Sequence, residues 1–186
     1  MIISVHVPKT AGTTLNHYLK KQLNVFEDME YRTTFPRLFA RHPDNLGIVH
    51  KKWMHKSLLS AILKRSDLAK KMKEYDCIHG HFHVAKYKFY PKAKFVTFVR
   101  EPLERMVSNY YFWAKIYGIG NPEKDLYLDY LFKKNTSLNE FLFDENLKDY
   151  QCRFIKGINL SRYSFIGVAD EKYFADDMNY LFDKIL

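Results

Sequence analysis

Two runs, "IISVHV" at positions 2–7 and "AKFVTFV" at 93–99, are almost wholly apolar, and helix-forming sequence follows each at once. A strand that is apolar on successive residues has both faces covered, as parallel strands inside layered α/β proteins do. The helix expected after the first run covers Thr13 to Leu23, with Leu15, Tyr18, Leu19 and Leu23 on one side. The one after the second, "EPLERMVSNYYFWAKIYG", carries a proline in its first turn and ends at Gly118. Shorter strands are expected at "DCIHGH" and "YSFIGV". Helical sequence precedes the former ("HKSLLSAILKRSDLAKKMKEY") and follows the latter ("DEKYFADDMNYLFDKIL", with Asp170 as N-cap). A looser helical region is expected from about Asp125 to Ile155. Strands alternating with helices predict an α/β fold with a mainly parallel sheet flanked by helices. No repeat or linker interrupts the 186 residues, so one domain over 1–186 is expected. In such folds ligands bind beyond the carboxyl ends of the strands.

The formal charge of +9, from 30 Lys and Arg against 21 Asp and Glu, points to an anionic partner. Much of the excess lies between Lys51 and Lys94, and reads either as solvated helix faces or as a field that draws in a polyanion. No apolar run approaches the roughly 20 residues of a membrane span, so no transmembrane segment is expected. With a strand beginning at Ile2, no leader is expected either. Cys77 and Cys152 stand far apart and in no metal-ligand spacing, which fits reduced thiols in a reducing compartment.

The turn after the first strand, "PKTAGTT", concentrates unusual residues. Gly12 permits backbone angles or a close approach that a side chain would prevent. The first turn of the helix exposes N–H groups and the positive end of its dipole. Lys9 adds a full charge, and Thr10, Thr13 and Thr14 add hydroxyl donors, which together suit a phosphate- or sulfate-sized anion. Ordinary capping explains one threonine but leaves Lys9 unaccounted for. The lysine precedes the only glycine, so this is not a Walker A loop, and a nucleotide kinase is disfavoured.

Arg100 ends the second long strand and Ser108 lies in the following helix. There Leu103, Met106, Val107, Tyr110, Ala114 and Tyr117 form an apolar stripe, and Ser108 faces away from it. Arg100 suits phosphate oxygens through its planar fork, unless it simply pairs with Glu101 or Glu104. His79, His81 and His83 share one side of "CIHGHFH" if the segment stays extended. That alternation is a poor zinc-ligand pattern, and no metal is expected.

Taken in order, "PKTAGTT", "HGH", "VREPLERMVSNYY" and "YSFIGVADEKYF" resemble the carbohydrate sulfotransferases that include heparan sulfate 2-O-sulfotransferase and the chondroitin sulfotransferases. The resemblance implies a P-loop-kinase-like sulfotransferase fold and the donor 3′-phosphoadenosine-5′-phosphosulfate (PAPS), with no metal. It assigns Lys9, Thr10, Gly12, Thr13 and Thr14 to the 5′-phosphosulfate, and Arg100 and Ser108 to the 3′-phosphate. It makes His81, the second histidine of H-G-H, the general base, a role for which an ordinary histidine pKa near ~6.5 is suited. Lys9 would stabilise charge on the leaving phosphate. The implied partner is a hydroxylated acceptor, a glycan, and not nucleic acid. The family usually continues beyond the last helix with a segment that closes over the nucleotide. The expected location is the cytoplasm, the alternative being the soluble catalytic part of a Golgi-lumenal enzyme. The rival reading is a non-catalytic basic module that binds nucleic acid or sulfated glycan.

Overall fold

The apolar runs at 2–7 and 93–99 lie side by side at the centre of a five-stranded sheet. The computed structural model describes residues 1–30, 46–118, 136–144, 147 and 149–186. The part of the looser helical region that falls on 125–135, 145, 146 and 148 lies outside them. The strands are β1 (Ile2–Val5), β2 (Val25–Glu27), β3 (Cys77–Gly80), β4 (Lys94–Val99) and β5 (Tyr163–Val168). They pair in the order β2-β3-β1-β4-β5, every pair parallel. Between them run helices α1 (Gly12–Gln22), α2 (Leu46–Leu63), α3 (Arg65–Glu74) and α4 (Pro102–Gly118). Short helices α5 (Leu138–Leu142) and α6 (Tyr150–Ile155) precede β5, and α7 (Phe174–Tyr180) follows it. The chain steps from β1 to one side and, after β3, crosses to the other, so β1, β3 and β4 end together at a switch point.

The pleat sorts each strand between two cores. Ile3 and Val5 join Ile78 and Phe95 in a core that also takes Val49 and Trp53 from α2, Trp113 from α4, and Tyr150 and Phe154 from α6. Ile2, Cys77, Val96 and Phe98 face the other way, against Leu15 and Leu19 of α1 and Met178 of α7. Residues two apart share a face, so Ser4 follows Ile2, and His79 follows Cys77, on the α1 side. In register Ser4 stands beside His79, and the two side chains bond at 2.9 Å between Nδ1 and Oγ.

Three details depart from expectation. On α4 the most buried positions are Arg105, Asn109 and Trp113, while Leu103 is exposed, so the apolar stripe is not the face that packs deepest. Arg105 instead lays its guanidinium over the Tyr150 ring, 4.8 Å from its centre, a cation–π contact that hydropathy patterns do not see. Asp170 does not cap the last helix, which begins at Phe174. Its carboxylate accepts from the backbone N–H of Lys172 and of Tyr173, each at 2.9 Å, and so closes the turn before the helix. The three-residue β2 was not foreseen, being too short and too exposed to show a period.

Beside β3 lies a buried ionic cluster. Lys86 bridges Asp28 and Glu30, the hydroxyl of Tyr87 donates to Asp28 at 2.6 Å, and Ser57 donates to Glu30 at 2.6 Å. Burial first, and then the Asp28 charge, push the Tyr87 pKa well above its usual value, so the phenol stays a donor. Removing one partner of a buried ion pair leaves charge uncompensated at a cost of about 3–5 kcal/mol, whereas exposed pairs are worth about 0–1 kcal/mol. Lys86→Met is therefore expected to lose several kcal/mol in urea titration, and Lys20→Met, which breaks only the exposed pair with Glu27, to lose little. Equal losses would show that the buried cluster is not a structural anchor.

Candidate functional site

Where β1 ends, the chain enters the turn expected to hold an anion. Lys9 and Ala11 both take left-handed backbone angles, φ 68° and 59°, in a turn without a glycine at either place. Such angles cost a residue with a side chain about 1–2 kcal/mol each. Turns of this kind present backbone N–H groups to one point, a concavity suited to an anion. Ala11 is the N-cap of α1, and no side chain caps the helix there. Threonine capping, the simpler explanation of this sequence, is thus not what the threonines do. Thr10 is buried and donates its hydroxyl to the Val7 carbonyl at 2.8 Å, so it braces the turn from behind. Thr13 and Thr14 are exposed in the first helical turn.

Gly12 is required for close approach. A Cβ there would lie 1.8 Å from Nε2 of His6. His6 shares the pleat face of Ile2 and Ser4, which directs its ring under the start of α1. The ring also stacks on His81, centroids 4.0 Å apart, and on His79 at 5.3 Å. Burial first, then the neighbouring His81, His79 and Lys9, hold the pKa of His6 down at about 2, so this ring is neutral. Burial brings His79 to about 4 as well. His81 places Nδ1 2.9 Å from the His6 carbonyl oxygen. A carbonyl only accepts, so Nδ1 carries the proton and Nε2 is the basic nitrogen of the neutral ring.

A cavity of about 640 Å³ opens beyond these strand ends, and Lys9, Gly12, Thr13, His81, Arg100 and Ser108 all line it. Thr10 and Thr14 do not. His6 lines it too, as does Phe112, over whose ring Lys9 lies 4.2 Å from the centroid. The far wall is Ala169 to Glu171 with Phe174 and Ala175, the approach to α7. Burial first, then Arg100, lower the pKa of Lys9, which brings the two cations from separate strand ends into one field. Arg100 also makes the contact weighed as an alternative, Nε to Glu104 at 3.3 Å, on a side chain about a third exposed. Its backbone is clamped on both sides by Gln151, which accepts from the Arg100 N–H at 2.8 Å and donates to its carbonyl at 2.7 Å.

His83 does not share the side of the other two. β3 ends at Gly80, whose φ of 152° and 2.2 Å Cβ clearance to the Asp28 carbonyl admit only glycine. The chain then turns, and His83 caps a 3₁₀ turn over Val84–Tyr87, its Nδ1 accepting from the Ala85 N–H at 3.2 Å. Its ring packs edge-on to the buried Trp53, 5.2 Å between centres.

The sequence model of the sulfotransferase family matches residues 1–153. The chain belongs to that family. No curated protein matches it, and no solved structure does. The sulfotransferase match runs from β1 into α6 and takes in Lys9, Gly12, His81, Arg100 and Ser108, while the cavity wall at 169–175 lies outside it. The parallel sheet flanked by helices is the α/β sulfotransferase fold, and sulfuryl transfer is the general reaction of the family. His6 was missed in the sequence; its signal was a polar ring at the carboxyl end of an otherwise apolar run, two residues before the Pro8-Lys9 step.

Gly12→Ala is expected to destabilise by about 1–3 kcal/mol, the range of overpacking, and most of that loss should vanish in a His6→Ala background. Additive losses in the double variant would place the strain elsewhere. The buried histidines also set a pH dependence. Below ~6.5 the unfolded chain binds protons that folded His79 and His83, with pKa values near 4, refuse. Stability should therefore fall as pH drops from about 6.5 towards 4, by up to ~1.4 kcal/mol per pH unit for each histidine. Urea midpoints measured across that range check it, and His83→Gln should make the slope shallower.

Proposed function

We propose that this sulfotransferase moves the sulfuryl group of PAPS to a hydroxyl of an acceptor, a glycan, by in-line transfer with His81 as general base. The reading rests above all on one observation: an uncapped helix start, Lys9, Arg100 and His81 all face one cavity. The resemblance of "PKTAGTT", "HGH" and "VREPLERMVSNYY" to heparan sulfate 2-O- and chondroitin sulfotransferases supports the donor, the P-loop-kinase-like fold and the glycan. In this reading residues 1–186 work as one sulfotransferase domain. Two free thiols, Cys77 and Cys152, favour the cytoplasm.

Lys9, Gly12 and Thr13 would surround the 5′-phosphosulfate, with Thr10 bracing the turn through its bond to Val7 and Thr14, which does not line the cavity, left out of that contact. Arg100 and Ser108 would take the 3′-phosphate. The Arg100–Glu104 contact is exposed, and such pairs are worth about 0–1 kcal/mol, so a phosphate displaces it at small cost. PAPS, when bound, supplies the sulfuryl group and a phosphate that leaves as an anion. His81 holds Nδ1–H on the His6 carbonyl and takes the acceptor's hydroxyl proton at Nε2. Lys9 and the helix N–H groups face the charge that grows on the leaving oxygen.

Isothermal titration with 3′-phosphoadenosine 5′-phosphate, against the same nucleotide without its 3′-phosphate, tests the donor. Arg100→Ala should weaken the first by about 1.5–3 kcal/mol and the second much less. His81→Ala should bind nucleotide normally yet lose about 10²–10⁴-fold in single-turnover sulfate transfer. Lys9→Ala should lower kcat more than donor affinity, because the charge it meets grows in the transition state. Binding that falls steeply with salt, ignores the 3′-phosphate and survives loss of His81 would favour a basic binding module instead.

A further inference from the structure

A second cavity, of about 360 Å³, is lined by His50, Lys51 and Met54 of α2, by His83, and by Arg153 and Lys156 at the end of α6. It shares no lining residue with the first cavity. Its size falls within the range of small-molecule sites, roughly 300–1,000 Å³. Its described lining is basic. Three cationic side chains and two imidazoles converge, with a thioether as the apolar surface, and among the described residues no carboxylate lines it. Burial first, then Arg153 and His83, hold the pKa of His50 well below its usual value, so these groups act on one another across the space. His83 is fixed as the cap of the 3₁₀ turn and packs against Trp53, which makes that wall rigid. Cationic side chains around a pocket are a general recipe for sulfate, phosphate or carboxylate.

We propose that this second cavity is a binding site for an oxyanion, a sulfo, phospho or carboxylate group, separate from the site that faces His81. The group is borne by a sugar-sized molecule or is a free inorganic anion. The ring CH signals of His50 and His83 report on it directly by NMR. At constant ionic strength held with sodium chloride, they should shift saturably on titration with sodium sulfate or with glucuronate, and not with glucose. Lys51→Ala and Lys156→Ala remove exposed side chains and should leave the fold intact. Each should weaken the binding about tenfold or more, the size of one charge-assisted contact. Sulfate bound at the first cavity does not confuse the result, since neither lysine lines it. Tighter binding of glucuronate than of sulfate assigns the site to an anionic sugar, and the reverse order assigns it to an inorganic anion. Absence of a saturable shift, or a shift unchanged in the Lys51→Ala/Lys156→Ala double variant, overturns the proposal.

Discussion

The ring of His6 lies so close under the first helix that a Cβ on residue 12 would sit 1.8 Å from its Nε2. Much of the site follows from that approach. It brings the uncapped start of α1 directly over the end of β1, and the intervening turn must then fold tightly enough to force Lys9 and Ala11 into left-handed angles. At about 1–2 kcal/mol for each of these two residues, the turn holds a strain that matters against a typical folding stability of about 5–15 kcal/mol. It persists because Thr10 is buried behind it, bonded to Val7, and because Leu15 and Leu19 seat the helix in the core. The same ring lies against His81, so a single half-buried imidazole fixes both the turn and the histidine opposite it.

Neutrality of that ring is as important as its position. Lys9 and Arg100 already bring two positive charges to the cavity, and Lys9 is held with a lowered pKa by burial and by Arg100. A third cation at His6 would raise the repulsion and draw water under the helix. Burial prevents this, and holds His79 in the same state. The field at the strand ends is then set by groups that face the cavity, while the groups beneath them stay neutral. An anion arriving there would relieve the repulsion between Lys9 and Arg100, a differential interaction confined to a bound state.

The sheet, its parallel sense and the convergence of Lys9, Gly12, Thr13, His81, Arg100 and Ser108 on one cavity were legible because each rests on a local pattern: an apolar run, a turn, a residue at a strand end. What was not legible depends on tertiary contact. The burial of Arg105 needs the Tyr150 ring, forty-five positions away in sequence, and a helical wheel of α4 carries no trace of it. The Lys86 cluster joins β2's flank, α2 and the turn after β3, from residues that look like ordinary surface charge when read singly. Thr10 reads as a ligand donor until the Val7 carbonyl is seen to claim its hydroxyl. The wall at 169–175 belongs to the cavity only because β5 lies next to β4, which no short motif announces.

The three histidines of "HGHFH" show how one short stretch divides into three roles. In a strand, positions 79, 81 and 83 would share a face, and only the end of β3 distinguishes them. His79 is still within the ladder, pressed against Ser4, and serves the packing under α1. His81 is one residue past the last paired position, so its backbone is released from the sheet while its ring keeps the strand's direction over His6. Gly80 then lets the chain pass within contact of the Asp28 carbonyl and turn, and His83 is carried to the other side, where it caps Val84–Tyr87 and borders the second cavity. The spacing of the histidines therefore matters less than where the sheet releases the chain. A glycine at 80 sets that point, and with it which ring is buried, which faces the first cavity and which faces the second.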